Sequence, residues 1–178
     1  MSRAFPLTMA ELEAGLDEIR RSPADGGVLR LIVRRPRVEA REALDTGELS
    51  LTEGLVGDSW MFRRPPNPDK QLNIMNARVT ALVAQDKDRW QLAGDQLYLD
   101  MDLSEDNVPA GTRLSLGSAA IEVTPPPHLG CRKFVARFGL EAMKFVNSSL
   151  GKQLHLRGIN AKVVQAGGIR VGDVARKI

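Results

Sequence analysis

The chain has 178 residues, of which 43% are apolar and 26% charged, and a net charge of +3. That is enough for one domain with a real core. No stretch approaches the roughly 18 apolar residues of a bilayer span, and the acidic start (Glu11, Glu13, Asp17, Glu18) does not read as a secretory leader. The lone cysteine excludes an intrachain disulfide and fits a reducing compartment, so the cytoplasm is the expected location.

In chain order, Thr8-Met-Ala-Glu11 is a capping box, and Leu12, Leu16 and Ile19 follow at helical spacing, which predicts a helix over 8–21 ended by Pro23 and Asp25-Gly26-Gly27. Leu29, Leu31 and Val33 alternate with Arg30, Ile32 and Arg34, the pattern of a strand stopped at Pro36. Residues 38–44 read as a second strand, paired with the first. The prolines within 63–70 deny regular structure and predict a surface loop with the character of a mobile lid. Residues 73–83 fit a helix or a strand equally well. Leu97, Leu99, Met101 and Leu103 alternate with Tyr98, Asp100 and Asp102, as in a half-buried strand. Residues 113–116 and 119–123 form a hairpin around Gly117-Ser118.

Beyond Cys131, Val135, Phe138, Ala142 and Phe145 share one helical face, weakened at Gly139. The tail returns to strands at 161–165, 169–171 and 174–175, with Gly167-Gly168 as a turn. Three Gly-Asp pairs, at 57–58, 94–95 and 172–173, read as turns between short strands. Many short strands with Gly/Pro turns indicate a barrel or sandwich carrying two or three helices.

Cys131 is the residue most suited to chemistry. Pro125-Pro126-Pro127 stiffen the approach, Gly130 permits a turn, and Arg132 and Lys133 follow, so cations favour the thiolate that ligates soft metals or attacks electrophiles. An arbitrary lone cysteine is more often a small buried hydrophobe. One Cys and two His cannot build an ordinary zinc site, and no phosphate-binding glycine loop is present. His128 is placed to support the thiolate or to stabilise its own loop. Asp100 and Asp102 read as a solvated strand face, and Asp58 and Asp173 as turn formers. The cations fall in groups, Arg30/Arg34/Arg35/Arg37, Arg63/Arg64 and Arg132/Lys133/Arg137, that would either hold an anionic ligand or mark solvated faces. Nucleic acid is disfavoured, because the few aromatics do not alternate with cations. A thiolate among cations suits a large anionic cofactor whose metal takes one sulfur from the protein.

These motifs together resemble the MOSC domain family, named for the C-terminal domain of molybdenum-cofactor sulfurases, in a short, stand-alone bacterial form. The resemblance is carried by Gly54-Leu-Val-Gly57-Asp58, Asn76-Ala-Arg78-Val79, Leu114 to Thr124, His128-Leu-Gly-Cys131, Arg157 to Ala161 and Gly167 to Asp173. It implies a mainly β fold, a closed barrel similar to the pyruvate kinase β-barrel domain. A single domain would span 1–178, with residues 1–24 as a helical extension packed on the barrel. It further implies a molybdenum–pterin cofactor with Cys131 on the metal, and Arg132, Lys133, Arg78, Asn76 and His128 as cofactor-binding candidates. The implied activity is oxidoreductase: reduction of N-hydroxylated small molecules with electrons from a redox partner protein. The alternatives are a sulfur carrier, with a Cys131 persulfide loaded by a cysteine desulfurase, and a non-catalytic cofactor-binding module. Ser59-Trp60 stands where many relatives place a histidine. The chain carries nothing resembling the sulfurases' pyridoxal-phosphate domain, so no pyridoxal phosphate site is expected.

Overall fold

A computed structural model describes residues 4–178. Its strands are β1 (Gly27–Arg34), β2 (Glu42–Leu44), β3 (Thr46–Ser50), β4 (Gly54–Leu55), β5 (Leu72–Asn76), β6 (Leu97–Asp100), β7 (Arg113–Leu116), β8 (Ala119–Val123), β9 (Ile159–Gln165), β10 (Gly167–Arg170) and β11 (Val174–Lys177). The α-helices are α1 (Met9–Ala14), α2 (Leu16–Arg20), α3 (Ala77–Ala84), α4 (Arg132–Phe138), α5 (Leu140–Asn147) and α6 (Ser149–Gln153).

Strands pair in the order β11-β7-β8-β9-β5-β6-β1, and β1 pairs back onto β11. The seven strands therefore close into a barrel and leave no free edge among themselves. β2 extends the sheet beyond β1, and β10, β3 and β4 form a separate three-stranded sheet. β5 and β6 are the parallel pair of the barrel. A parallel pair needs a crossover, and α3 with the 3-10 turns at Lys87–Ala93 provides it.

At β1, β5 and β6 the barrel wall is buried on both sides. Ile32, Ile74, Leu97 and Leu99 fill the interior, whereas their neighbours Val33, Met75 and Tyr98 face a second core under the helices with Leu12, Val79, Phe134 and Phe138. The period-2 pattern survives as a sorting between two cores rather than between core and water. Tyr98 is fully buried, which corrects its expected place on a half-solvated strand.

The Thr8–Glu11 capping box forms in full. The helix it starts breaks at Gly15, which presses against Leu82. A bulge between Leu29 and Leu31 shifts the register against β6, so Ile32 is buried and Leu31 is not. Only Glu42–Leu44 of the expected 38–44 strand pairs with β1, because Glu39 takes a left-handed backbone (φ 62°) that interrupts extension. Residues 73–83 are both alternatives in succession: strand β5 runs into α3, and Asn76 caps the helix through its side chain. The 113–123 hairpin forms in the expected register. Gly139 (φ 95°) divides the post-cysteine helix into α4 and α5. Gly167 and Gly168 pair with β3 instead of turning. Among the described residues six α-helical segments replace the expected two or three, partly because of the breaks at Gly15 and Gly139.

Candidate functional site

Four segments converge on a cleft of about 860 Å³: the residues after β1, the 58–63 turn, the Gly94-Asp95 turn before β6, and the run from Pro127 to Arg137. Arg35, Arg37, Arg41, Arg63, Lys70, Lys133, Arg137 and Arg157 all line it, and the Arg41 and Arg137 guanidiniums meet beside Gly94. Glu39 is the one acidic side chain among these lining residues.

Two fully buried aspartates hold this arrangement. Asp58 receives the Arg35 guanidinium through two bonds, Nε to Oδ1 at 3.0 Å and Nη2 to Oδ2 at 2.8 Å. It also accepts the Trp60 backbone N–H. Asp95 accepts Arg157 Nη1 at 2.7 Å on Oδ2 and meets His128 Nε2 at 3.0 Å on Oδ1. The expectation that Asp58 is chiefly a turn former is corrected here: Gly57 and Gly94 make the turns (φ 83° and 89°), and the aspartate after each reaches inward to an arginine. Asp173 remains a turn residue, accepting the Arg170 N–H.

A chain of amides ties the two walls together. Asn73 accepts from Arg35 and donates to Asn160, which donates to the Pro126 carbonyl. The segment before Cys131 is thereby anchored to the barrel. Asn147 then clamps Gly130 by both of its backbone groups. Gly130 has no left-handed backbone; a Cβ there would lie 3.2 Å from Met143 and Val146. Glycine is needed for close approach to α5, rather than for the turn itself.

Cys131 is exposed, at the position preceding α4. Partial burial works against its thiolate, but the Lys133 and Phe134 N–H groups and the charges of Arg157 and Arg137 outweigh it and bring the thiol below its ordinary pKa. The two amides weigh more than the two arginine charges, although neither makes a regular capping bond to the sulfur. The Arg157 guanidinium lies 5.1 Å above the Phe134 ring.

Desolvation, with help from Arg157, lowers the His128 pKa against the opposing pull of Asp95, so the ring is neutral. Facing a carboxylate, Nε2 carries the proton and Nδ1 is left as an acceptor. A group whose folded pKa lies below its unfolded value adds stability above the unfolded value, about 6.5 for histidine, and loses it on acidification. Tm should therefore fall as pH drops from about 6.5 toward 5. In His128→Asn the fall should be shallower, as thermal melts across that range would show.

The remaining sequence candidates are distributed unevenly. Lys133 and His128 line the cleft with Cys131. Arg132 is exposed and outside it. Arg78 is paired with Asp100 at 2.8 Å and with Glu18 at 3.1 Å, away from the cleft. Asn76 is occupied as the α3 cap and by Ser22 and the Met101 carbonyl. Asp100, read as solvated, instead bridges Arg30 and Arg78. Of the cationic groups, Arg35, Arg37, Arg63, Lys133 and Arg137 reach the cleft. Arg41, Arg157, Asp95 and Asn73 carry no sequence signal as site residues, and the partners of the last three are distant in the chain.

Fold and site define a closed-barrel protein with a cation-lined cleft and an accessible thiol at its edge. The chain belongs to the MOSC domain family, whose model matches residues 65–176. Solved structures share the fold at low identity. The YiiM protein from Escherichia coli is 19% identical, with a TM-score of 0.56 over 85% of this chain and 69% of that one. The YuaD protein from Bacillus subtilis is 14% identical, with a TM-score of 0.57 over 84% and 93%. YiiM from Geobacillus stearothermophilus is 16% identical, with a TM-score of 0.55 over 87% and 73%. No curated protein matches significantly.

Proposed function

We propose that the cleft binds a molybdenum–pterin cofactor, with the Cys131 thiolate as the protein's ligand to the metal and the arginines around its anionic groups. The MOSC family is associated with this cofactor. The observation that carries the reading is uncompensated positive charge beside the thiol. Burial depresses the pKa values of both Arg41 and Arg63, and neighbouring arginines add to the effect: Arg137 and Arg35 at Arg41, Arg35 at Arg63. The Nε atom of Arg41 is buried without a partner. Cations crowded this way are short of an anion, and a phosphate supplies the acceptors they lack. Among the described residues no group of three or more His, Cys, Asp or Glu could hold a metal ion. A metal at Cys131 would thus draw its other ligands from the cofactor.

When bound, the cofactor would supply two-electron chemistry, the reduction of an N–OH group to N–H and water with electrons from a partner redox protein. The chain's own part is to bind and to position. Arg35 and Arg157, locked by Asp58 and Asp95, present fixed charge. Arg41, Arg63 and Lys70 neutralise the ligand, and neutral His128 forms part of the cleft wall without adding charge.

The test is metal and pterin analysis of protein made in a host that produces the cofactor. Wild type should carry near-stoichiometric molybdenum, and Cys131→Ser should lose most of it while keeping its melting temperature. Equal metal in both proteins, or none in either, would sink the reading.

The exposure of Cys131 favours a second one, a sulfur carrier whose thiolate is loaded by a desulfurase. Mass spectrometry would then find one extra sulfur on Cys131 after incubation with such an enzyme. Unmodified thiol would count against it.

A further inference from the structure

A second cavity, of about 390 Å³, lies on the other side of the segment that leads to Cys131. Pro127, His128 and Asn160 line both spaces, so the two share a wall. Pro109, Pro125, Pro126, Leu129 and Ile159 give the cavity broad apolar faces. At its edge Glu105 and Lys152, both exposed, offset one another in charge.

Both histidines of the chain line this cavity. Each is anchored by one ring nitrogen. His155 Nδ1 lies 2.7 Å from the Leu103 carbonyl, which can only accept, so Nδ1 bears the proton and Nε2 is an acceptor. His128 is anchored through Nε2 to Asp95, which leaves Nδ1 as its acceptor. Neither remaining nitrogen has a hydrogen bond to the described residues. His155 also holds a left-handed backbone (φ 49°), a conformation that a side chain beyond Cβ seldom adopts and that tends to collect at binding sites.

We infer that this cavity is a second binding site, for a flat, uncharged heterocycle that carries two N–H donors, and that His128 is the element shared between that ligand and the cationic cleft. Proline and leucine faces suit the two sides of a ring. One acceptor on each imidazole suits a ligand with two N–H groups, and the balanced edge charges select against a net charge. The volume falls within the range of small-molecule sites. The inference does not depend on any cofactor in the cleft.

The test is an NMR titration of the full chain, without added metal, using benzimidazol-2-one, which is flat and neutral and has two N–H donors. The Cε1–H signals of both histidines should shift along one saturable curve. Ala110→Phe, at an exposed position on the cavity rim, should abolish the shifts while leaving the rest of the spectrum in place. His155→Asn tolerates the left-handed backbone and can still offer an N–H toward Leu103, but it lacks the second nitrogen; it should weaken binding about fivefold, one hydrogen bond's worth. No saturable shift, a titration that Ala110→Phe leaves unchanged, or a response from His128 alone would overturn the proposal.

Discussion

Asp95→Ala should destabilise the protein by about 3–5 kcal/mol, the cost of stripping one partner from a buried ion pair. For a chain of this size that lowers Tm by roughly 6–20 °C, measurable by calorimetry. Asp95 is fully buried and serves two partners on different segments, Arg157 before β9 and His128 in the proline run. Burial on its own would raise the carboxyl pKa, but Arg157 and His128 hold it below the usual range. Removing the carboxylate leaves the Arg157 guanidinium buried at 8% side-chain exposure with only the Ala93 carbonyl as a strong acceptor. It also frees His128 from its anchor. Asp95→Asn keeps the shape and a hydrogen-bond acceptor, so it should cost less than the alanine. A loss below about 1 kcal/mol for the alanine would mean that Arg157 finds another partner or water.

The two aspartates also show where sequence reading stops. Gly57-Asp58 and Gly94-Asp95 are visible as turns because a glycine with positive φ is a local requirement. What each aspartate binds is not local: Arg35 is 23 residues from Asp58, and Arg157 is 62 residues from Asp95. The same contrast runs through the fold. The 113–123 hairpin and the Thr8–Glu11 cap are legible because their partners lie within a few residues. Residues 73–83 are ambiguous because a strand and a helix meet at Asn76, and a periodicity window that straddles the junction averages the two. The Leu31/Ile32 assignment fails because a bulge, set by pairing with β6, shifts the phase within one strand. Tyr98 reads as half-solvated because alternation cannot reveal that helices cover the barrel's outer face.

At the site, Cys131 stands out since prolines, a glycine and cations surround it in the chain itself. Arg132 is its nearest cation in sequence yet points away from the cleft, while Arg157, 26 positions on, enters it. The thiol's pKa is lowered first by the N–H groups of Phe134 and Lys133 and then by Arg157 and Arg137, so of these only Arg157 lies beyond the reach of local reading. Arg78, prominent in the motif shared with the family, is consumed by Asp100 and Glu18.

Arg41→Met and Arg63→Met should each weaken pyrophosphate binding by ten- to a hundredfold, about 1.5–3 kcal/mol for a charge-assisted bond, without destabilising the free protein. The opposite signs follow from the surroundings. Neither arginine is in an ion pair with a carboxylate among the described residues; Arg41 is half-buried and Arg63 more exposed, and both are pressed by Arg35, with Arg137 adding to the repulsion at Arg41. Without an anion each charge therefore works against the fold, and methionine keeps the packing of the stem while removing the repulsion. Tm of the free protein should hold or rise slightly. With an anion present the balance inverts: ligand stabilises wild type by mass action and the variants far less. Calorimetry of pyrophosphate binding together with paired melts would measure both effects. Arg35→Met is the control, since it strands Asp58 and should lose stability as well as binding. If Arg41→Met and Arg63→Met lost stability in the same way, the cations would be structural and the cleft would not be built for an anion. Stability given up locally to hold unpaired charge is the signature of a site kept for a ligand rather than for the fold.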